Sequence, residues 1–210
     1  MSREYFGHAR TDILDHLPHV PGRLLEIGCG SGATLAALKA RGAVSHAVGV
    51  ELDPQAAEAA RGVFDTVLQG MVEGAAIEEH VPAGSRDAIF CLDVLEHLVD
   101  PWAQVRRLVP LLAPGGLFVV SVPNIRNGKF IRQLLFKGDF RYRDAGLLDR
   151  THLRFFTLET ARELLTQAGL EVILARDPRT YRPTEAKYWT ARLFGMAELN
   201  AKQLVVIGRW

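Results

Sequence analysis

The chain has 210 residues, a length that favours one domain over two, and its 48% hydrophobic and 23% charged residues exclude disordered and collagen-like chains. Lys and Arg number 25 against 24 Asp and Glu, so the net charge of +1 gives the molecule as a whole no pull toward nucleic acid or an anionic membrane. Two cysteines, Cys29 and Cys91, are too few for a disulfide framework and predict reduced thiols. The opening MSREYFGHAR has no hydrophobic signal region, and no apolar run nears the ~18 residues a membrane span requires. A cytoplasmic location is expected.

Ile13, Leu14 and Leu17 give a short helical face over Thr11 to Leu17, which Pro18 and Pro21 end. Arg23 to Cys29 reads as a strand running into Gly28, Gly30 and Gly32, then a helix over Ala33 to Arg41. The pattern repeats as a strand over Ala47 to Leu52 with a helix from Pro54 to Gly62, where Pro54 suits a first helical turn. Thr66 to Gln69 is a third strand, and Asp87 to Leu92 a fourth with a helix predicted from Asp93 to Leu112. Gly116 to Pro123 is a fifth strand, and Thr157 to Ala168 a helix that Thr157 caps and Gly169 ends. Leu170 to Ala175 and Gln203 to Arg209 close the set, with a polar stretch and a short helix between Asp177 and Asn200. Strands alternating with helices predict one α/β domain over 1–210, a doubly wound sheet of seven strands whose ligand lies beyond the strands' carboxyl ends.

Glu26-Ile-Gly28-Cys-Gly30-Ser-Gly32 places glycines where the first strand turns into its helix, which lets the backbone turn tightly and a ligand approach the helix start. Glu51 ends the second strand about 20 residues on, where a carboxylate accepts hydrogen bonds from both hydroxyls of an adenosine ribose. The spacing fits NAD as well as S-adenosylmethionine, because Gly28, Gly30 and Ala33 also satisfy the relaxed dinucleotide pattern.

LLEIGCGSG, VGVELDP, DAIFCLDVLEHLVDP and LAPGGLFVVSVPN follow in the order found in class I S-adenosylmethionine-dependent methyltransferases, which the chain resembles over residues 20–175. The resemblance implies strand order 3-2-1-4-5-7-6 with the last strand antiparallel, and it decides against NAD. It implies that Glu26 orders the cofactor's amino-acid end and that Gly28, Gly30 and Gly32 pass beneath it. Glu51 then binds the ribose, beside Leu52 and Asp93. Met71 stands where relatives often carry an acid, so adenine contacts at Met71 and Val72 rest on packing and backbone. Tyr5 and Arg10 fall near the first strand, at the cofactor's carboxylate.

Asp93, Glu96 and His97 fall at i, i+3 and i+4, one face of a helix if the helix begins at Asp93. One reading is structural, with Asp93 as cap, Glu96 at the positive helix start and His97 packed. The other is a divalent metal site, Mg²⁺ in particular, completed by His152 from Asp149-Arg-Thr-His152. That set is similar to the E-x-x-E-H plus His site of magnesium-dependent O-methyltransferases acting on ubiquinone precursors and small-RNA 3′ ends, with Asp93 replacing the first Glu. A metal would lower the pKa of an acceptor hydroxyl; without one, His152 is the candidate general base, beside Asp93.

Between Asn124 and Arg154 eight basic residues face three acids, and Phe130, Ile131, Leu134 and Leu135 recur at helical spacing, so 125–156 reads as an insertion with a helix over Gly128 to Phe136. Such a segment is a solvated cap, or else a lid binding a phosphate-bearing acceptor or touching a membrane surface. VPNIRN and THLRFFT resemble methyltransferases of bacterial polysaccharide and glycolipid biosynthesis. The expected activity is O-methylation of a sugar, glycan or isoprenoid-linked small molecule, with nucleic acid disfavoured for want of a stacking platform. The alternatives are a non-catalytic S-adenosylmethionine-binding module and an NAD-dependent dehydrogenase.

Overall fold

The computed structural model describes residues 8–178 and 197–210; Tyr5 and most of the stretch from Asp177 to Asn200 lie outside them. Helix α1 (Thr11–Leu14) leads into strand β1 (Arg23–Ile27), helix α2 (Ala33–Lys39), strand β2 (His46–Glu51) and helix α3 (Pro54–Ala60). Strand β3 (Thr66–Gln69) and the short α4 (Ile77–His80) precede β4 (Arg86–Leu92), α5 (Pro101–Leu108) and β5 (Leu112–Pro123). Then come α6 (Gly128–Lys137), α7 (Leu158–Thr166), β6 (Glu171–Arg176) and β7 (Gln203–Arg209). The strands form one sheet in the order β3-β2-β1-β4-β5-β7-β6, with β7 antiparallel to both neighbours.

Alternation along each strand sends side chains to two cores. Leu25, Ile27, Val48, Val50, Ile89 and Phe118 face the side covered by α5 and α7, whereas Leu24, Ala47, Ala88, Phe90 and Val119 pack against Ile13, Leu35, Leu38 and Phe64. Three helix starts are set by an aspartate or threonine cap, and a fourth, at α6, by Asn127. Asp53 accepts from Gln55 N and Ala56 N with Pro54 in the first turn, and Thr157 and Thr160 form a reciprocal capping box at α7. Asp100 accepts from Ala103 N at 2.9 Å, again ahead of a proline, Pro101.

That third cap corrects the helix predicted from Asp93 to Leu112. Pro101 cannot donate into a preceding turn, and the residue before it is held out of the helical region, with Asp100 at φ −131° and ψ 82°. The chain instead leaves β4 through Asp93, makes a single 3₁₀ turn over Leu95–His97, and starts α5 afresh at Pro101. A second 3₁₀ turn, Val109–Leu111, ends it, and β5 begins four residues earlier than Gly116, with Leu112 beside Arg86.

Candidate functional site

A cavity of about 740 Å³ opens at the carboxyl ends of β1, β2 and β4, the position at which open α/β sheets bind ligands. Glu26, Gly28, Gly30, Glu51, Leu52, Met71, Val72, Asp93 and His97 all line it. Gly32 stands one step back, capping α2 at φ +86°. Gly28 has φ +68°, and a Cβ there would lie 2.5 Å from Val94 Cγ2, so only glycine lets β1 turn under the cavity floor. Leu52 and Met71 are exposed apolar residues at the rim, and Val72 is buried.

The two acids of this half are held differently. Glu51 accepts from Gly30 N and Asp53 N, both at 2.8 Å, one through each carboxylate oxygen, which fixes the group and leaves lone pairs toward the cavity. Glu26 is 2% exposed, and its Oε2 has no hydrogen-bond partner among the described residues. Burial, reinforced by the nearby Glu51 charge, pushes the Glu26 carboxyl up to about 8. An unpaired buried carboxyl at a cavity floor is a place for a ligand cation.

Sequence reasoning does not reveal how Asp93 is held. It is the one non-glycine residue with positive φ among the described residues, at +58°. Its N–H donates to Ser121 O at 2.9 Å, and its carboxylate accepts from Ser121 Oγ at 3.0 Å and from Arg10 Nη1. Arg10 also donates to Ser121 Oγ at 3.2 Å and to Asp12, and its backbone N–H reaches Thr34 Oγ1. Arg10, His8 and Thr34 therefore join the cavity wall. Burial raises the Asp93 carboxyl against the lowering pull of Arg10.

Asp93, Glu96 and His97 thus share no helical face. The 3₁₀ turn instead buries Glu96 to 1% exposure, and neither of its carboxylate oxygens has a partner among the described residues. Burial, with Asp93 adding to it, raises this carboxyl well above its usual range. The Glu96 carbonyl accepts from Leu153 N at 2.8 Å and Arg154 N at 2.9 Å, a double clamp that fixes the segment carrying His152. His97 Nδ1 faces Thr151 O at 3.2 Å, and His152 Nδ1 faces Leu147 O at 3.0 Å, so both rings donate through Nδ1 and keep Nε2 as an acceptor. The rings meet edge-on at 4.8 Å. Burial, then the neighbouring His152, lowers the His97 pKa.

Glu96, His97 and His152 each offer a ligand atom, all within 4.8 Å of one another. A buried carboxylate without a donor beside two imidazoles anchored through their far nitrogens is a donor set that fits a divalent cation. Asp93 is outside it, because its oxygens are engaged by Arg10 and Ser121.

A family profile described as a methyltransferase domain matches residues 2–175. A ubiquinone biosynthesis O-methyltransferase of Xylella fastidiosa is 31% identical over 150 residues, covering 63% of this chain and 58% of the relative. One from Psychrobacter arcticus is 31% identical over 183 residues, covering 81% and 66%. The chain spans 55% to 59% of the length of the first curated relatives it matches. Among solved structures, a SAM-dependent methyltransferase from Archaeoglobus fulgidus superposes with a TM-score of 0.65 at 18% identity, covering 100% of this chain and 95% of that one.

Proposed function

The chain belongs to the class I S-adenosylmethionine-dependent methyltransferase family, and from that premise we propose that it transfers the cofactor's methyl group to a hydroxyl of a small acceptor. The observation that carries the reading is Glu26, a carboxyl buried at the cavity floor with one oxygen unpaired among the described residues. The ammonium of the cofactor's amino-acid end is the cation that group lacks. Glu51 would accept the ribose hydroxyls, the Gly28 to Gly32 turn would admit the amino-acid end, and Leu52, Met71 and Val72 would pack on the adenine. Asp93 belongs to the same wall and acts through Arg10 rather than as a metal ligand.

The acceptor side rests on Glu96, His97 and His152, which we assign to a divalent cation, Mg²⁺ among them. The cation's chemistry would be to lower the pKa of the acceptor hydroxyl. Where no cation is bound, His152 Nε2 is instead the chain's own candidate to take the hydroxyl proton as the oxygen attacks the methyl carbon and S-adenosylhomocysteine leaves. The relatives' names support an isoprenoid-linked ring hydroxyl over a sugar or glycan. The insertion 125–156 is assigned to acceptor binding, since it delivers Thr151 and His152 to the site. Both cysteines are buried free thiols, which supports work in a reducing cytoplasm.

The test is thermal unfolding with S-adenosylmethionine, S-adenosylhomocysteine or NADH, each with Mg²⁺ and with EDTA, because a ligand that binds only the folded state must raise the midpoint. A rise with the adenosyl ligands and none with NADH is expected. Absence of a rise at saturating adenosyl ligand would overturn the assignment. The non-catalytic alternative predicts the same rise with no turnover on any phenolic or catechol acceptor.

A further inference from the structure

Helix α6 is amphipathic in an unusual direction. Phe130 is buried, whereas Leu135 and Phe136 are 72% and 76% exposed, and Ile131 and Leu134 are exposed beside them. Phe130 meets Phe140 edge-on at 5.6 Å, and Phe140 meets Tyr142 at 5.9 Å, so one more partly exposed ring lies against the helix and a second lies against that ring. The helix is firmly seated. Asn127 caps it and donates through Nδ2 to Ala201 O at 2.9 Å, and Gly138 ends it in the left-handed region. The exposed apolar residues are therefore displayed by a fixed element, and clusters of this kind with a polar rim mark interaction surfaces.

The rim carries the second observation. Arg126 pairs with Glu198, Arg141 with Asp139 and Arg150 with Asp144, but Lys129, Arg132, Lys137 and Arg143 form no ion pair among the described residues. In a chain with a net charge of only +1, the stretch from Asn124 to Arg154 thus sets eight basic residues against three acids around the most exposed apolar side chains. We propose that α6 and the segment through Tyr142 dock this protein on an anionic lipid bilayer, with Leu135 and Phe136 entering the headgroup boundary and the four basic side chains meeting lipid phosphates. Charge complementarity selects this occupant: a second copy would oppose like charges, and an apolar face with short basic flanks suits lipid rather than a polyanion in water. No helix among the described residues is long and apolar enough to cross a membrane, so the contact is peripheral. The inference is independent of the proposed chemistry.

Vesicle flotation of the full chain tests it, with phosphatidylcholine alone and with phosphatidylcholine containing phosphatidylglycerol. Binding is expected only to the anionic vesicles, weakening as salt rises. Leu135→Gln with Phe136→Gln should cut partitioning at least tenfold, from the loss of two buried apolar side chains. Arg132→Ala with Lys137→Ala should also cut it about tenfold or more, given the contribution of each basic residue near a charged surface. All four residues are exposed, and circular dichroism and the unfolding midpoint should match the parent. Failure to float with anionic vesicles would overturn the proposal. So would flotation indifferent to the Leu135 and Phe136 changes, or a concentration-dependent dimer, seen by sedimentation velocity, that those changes abolish.

Discussion

The two walls of the cavity are built by different means. On the β1–β2 side the work is done by backbone: a glycine turn at positive φ, two N–H groups on Glu51, and one buried acid beneath them. On the β4–β5 side it is done by contacts between distant segments, the Arg10 side chain on Asp93 and the Leu153 and Arg154 backbone amides on the Glu96 carbonyl. Among the described residues, the first wall leaves one buried oxygen of Glu26 without a partner; the second leaves both oxygens of Glu96 so. A wall made by one local turn tolerates few substitutions but stands alone, whereas one assembled from distant segments holds a larger unmet demand for a ligand to satisfy.

The largest expected effect separates the walls by chemistry. His152→Ala should lower methyl transfer about 10²- to 10⁴-fold, the range for loss of a general acid–base group, while S-adenosylhomocysteine affinity measured by calorimetry stays within about twofold. A matching collapse of cofactor affinity would merge the two walls into one unit. Next, Glu26→Gln should weaken S-adenosylmethionine about a hundredfold, the cost of removing one partner of a buried charge pair.

The same change should stabilise the unliganded protein at neutral pH. With its folded-state pKa raised to about 8, Glu26 holds a proton that the unfolded chain has released above the ordinary value near 4.5, so its contribution to stability falls as pH rises across that window. Denaturant titrations from pH 5 to 8 should show a decline in the parent that Glu26→Gln flattens. Cofactor binding near pH 7 should release a proton from Glu26, detected as a buffer-dependent heat.

Smaller effects sharpen the contrast. Gly28→Ala adds a Cβ against Val94 at a left-handed position, and a stability loss of about 1–3 kcal/mol is expected together with weaker cofactor binding. Glu96→Gln should abolish any Mg²⁺-induced rise in the unfolding midpoint yet preserve the rise with S-adenosylhomocysteine; a Mg²⁺ effect that survives it would place the cation elsewhere.

The contrast also explains what could be read from the chain. The strands, the glycine turn and the capping of α3 and α7 follow from local signals, because Asp53-Pro54 and Thr157 act within one turn, whereas the strand order is implied by the family resemblance. The break before α5 was legible by the same rule, since Asp100-Pro101 repeats Asp53-Pro54, but the apolar run from Asp93 masked it. The Arg10–Asp93 pair, 83 residues apart, and the clamp on Glu96 carry no local mark. Glu96, His97 and His152 are individually visible in the sequence; that Asp93 is drawn away from them is decided by the tertiary position of Arg10 and Ser121.

Glu51 has a consequence for substitution that its chemical family would not suggest. Each of its oxygens already faces an amide hydrogen, one from Gly30 and one from Asp53. A glutamine in that place would have to point its NH₂ at one of those two donors in either orientation of the amide. The nearest isostere is therefore among the least tolerated replacements here, and the turn and the following helix, held together through this single carboxylate, would loosen before any ligand arrives.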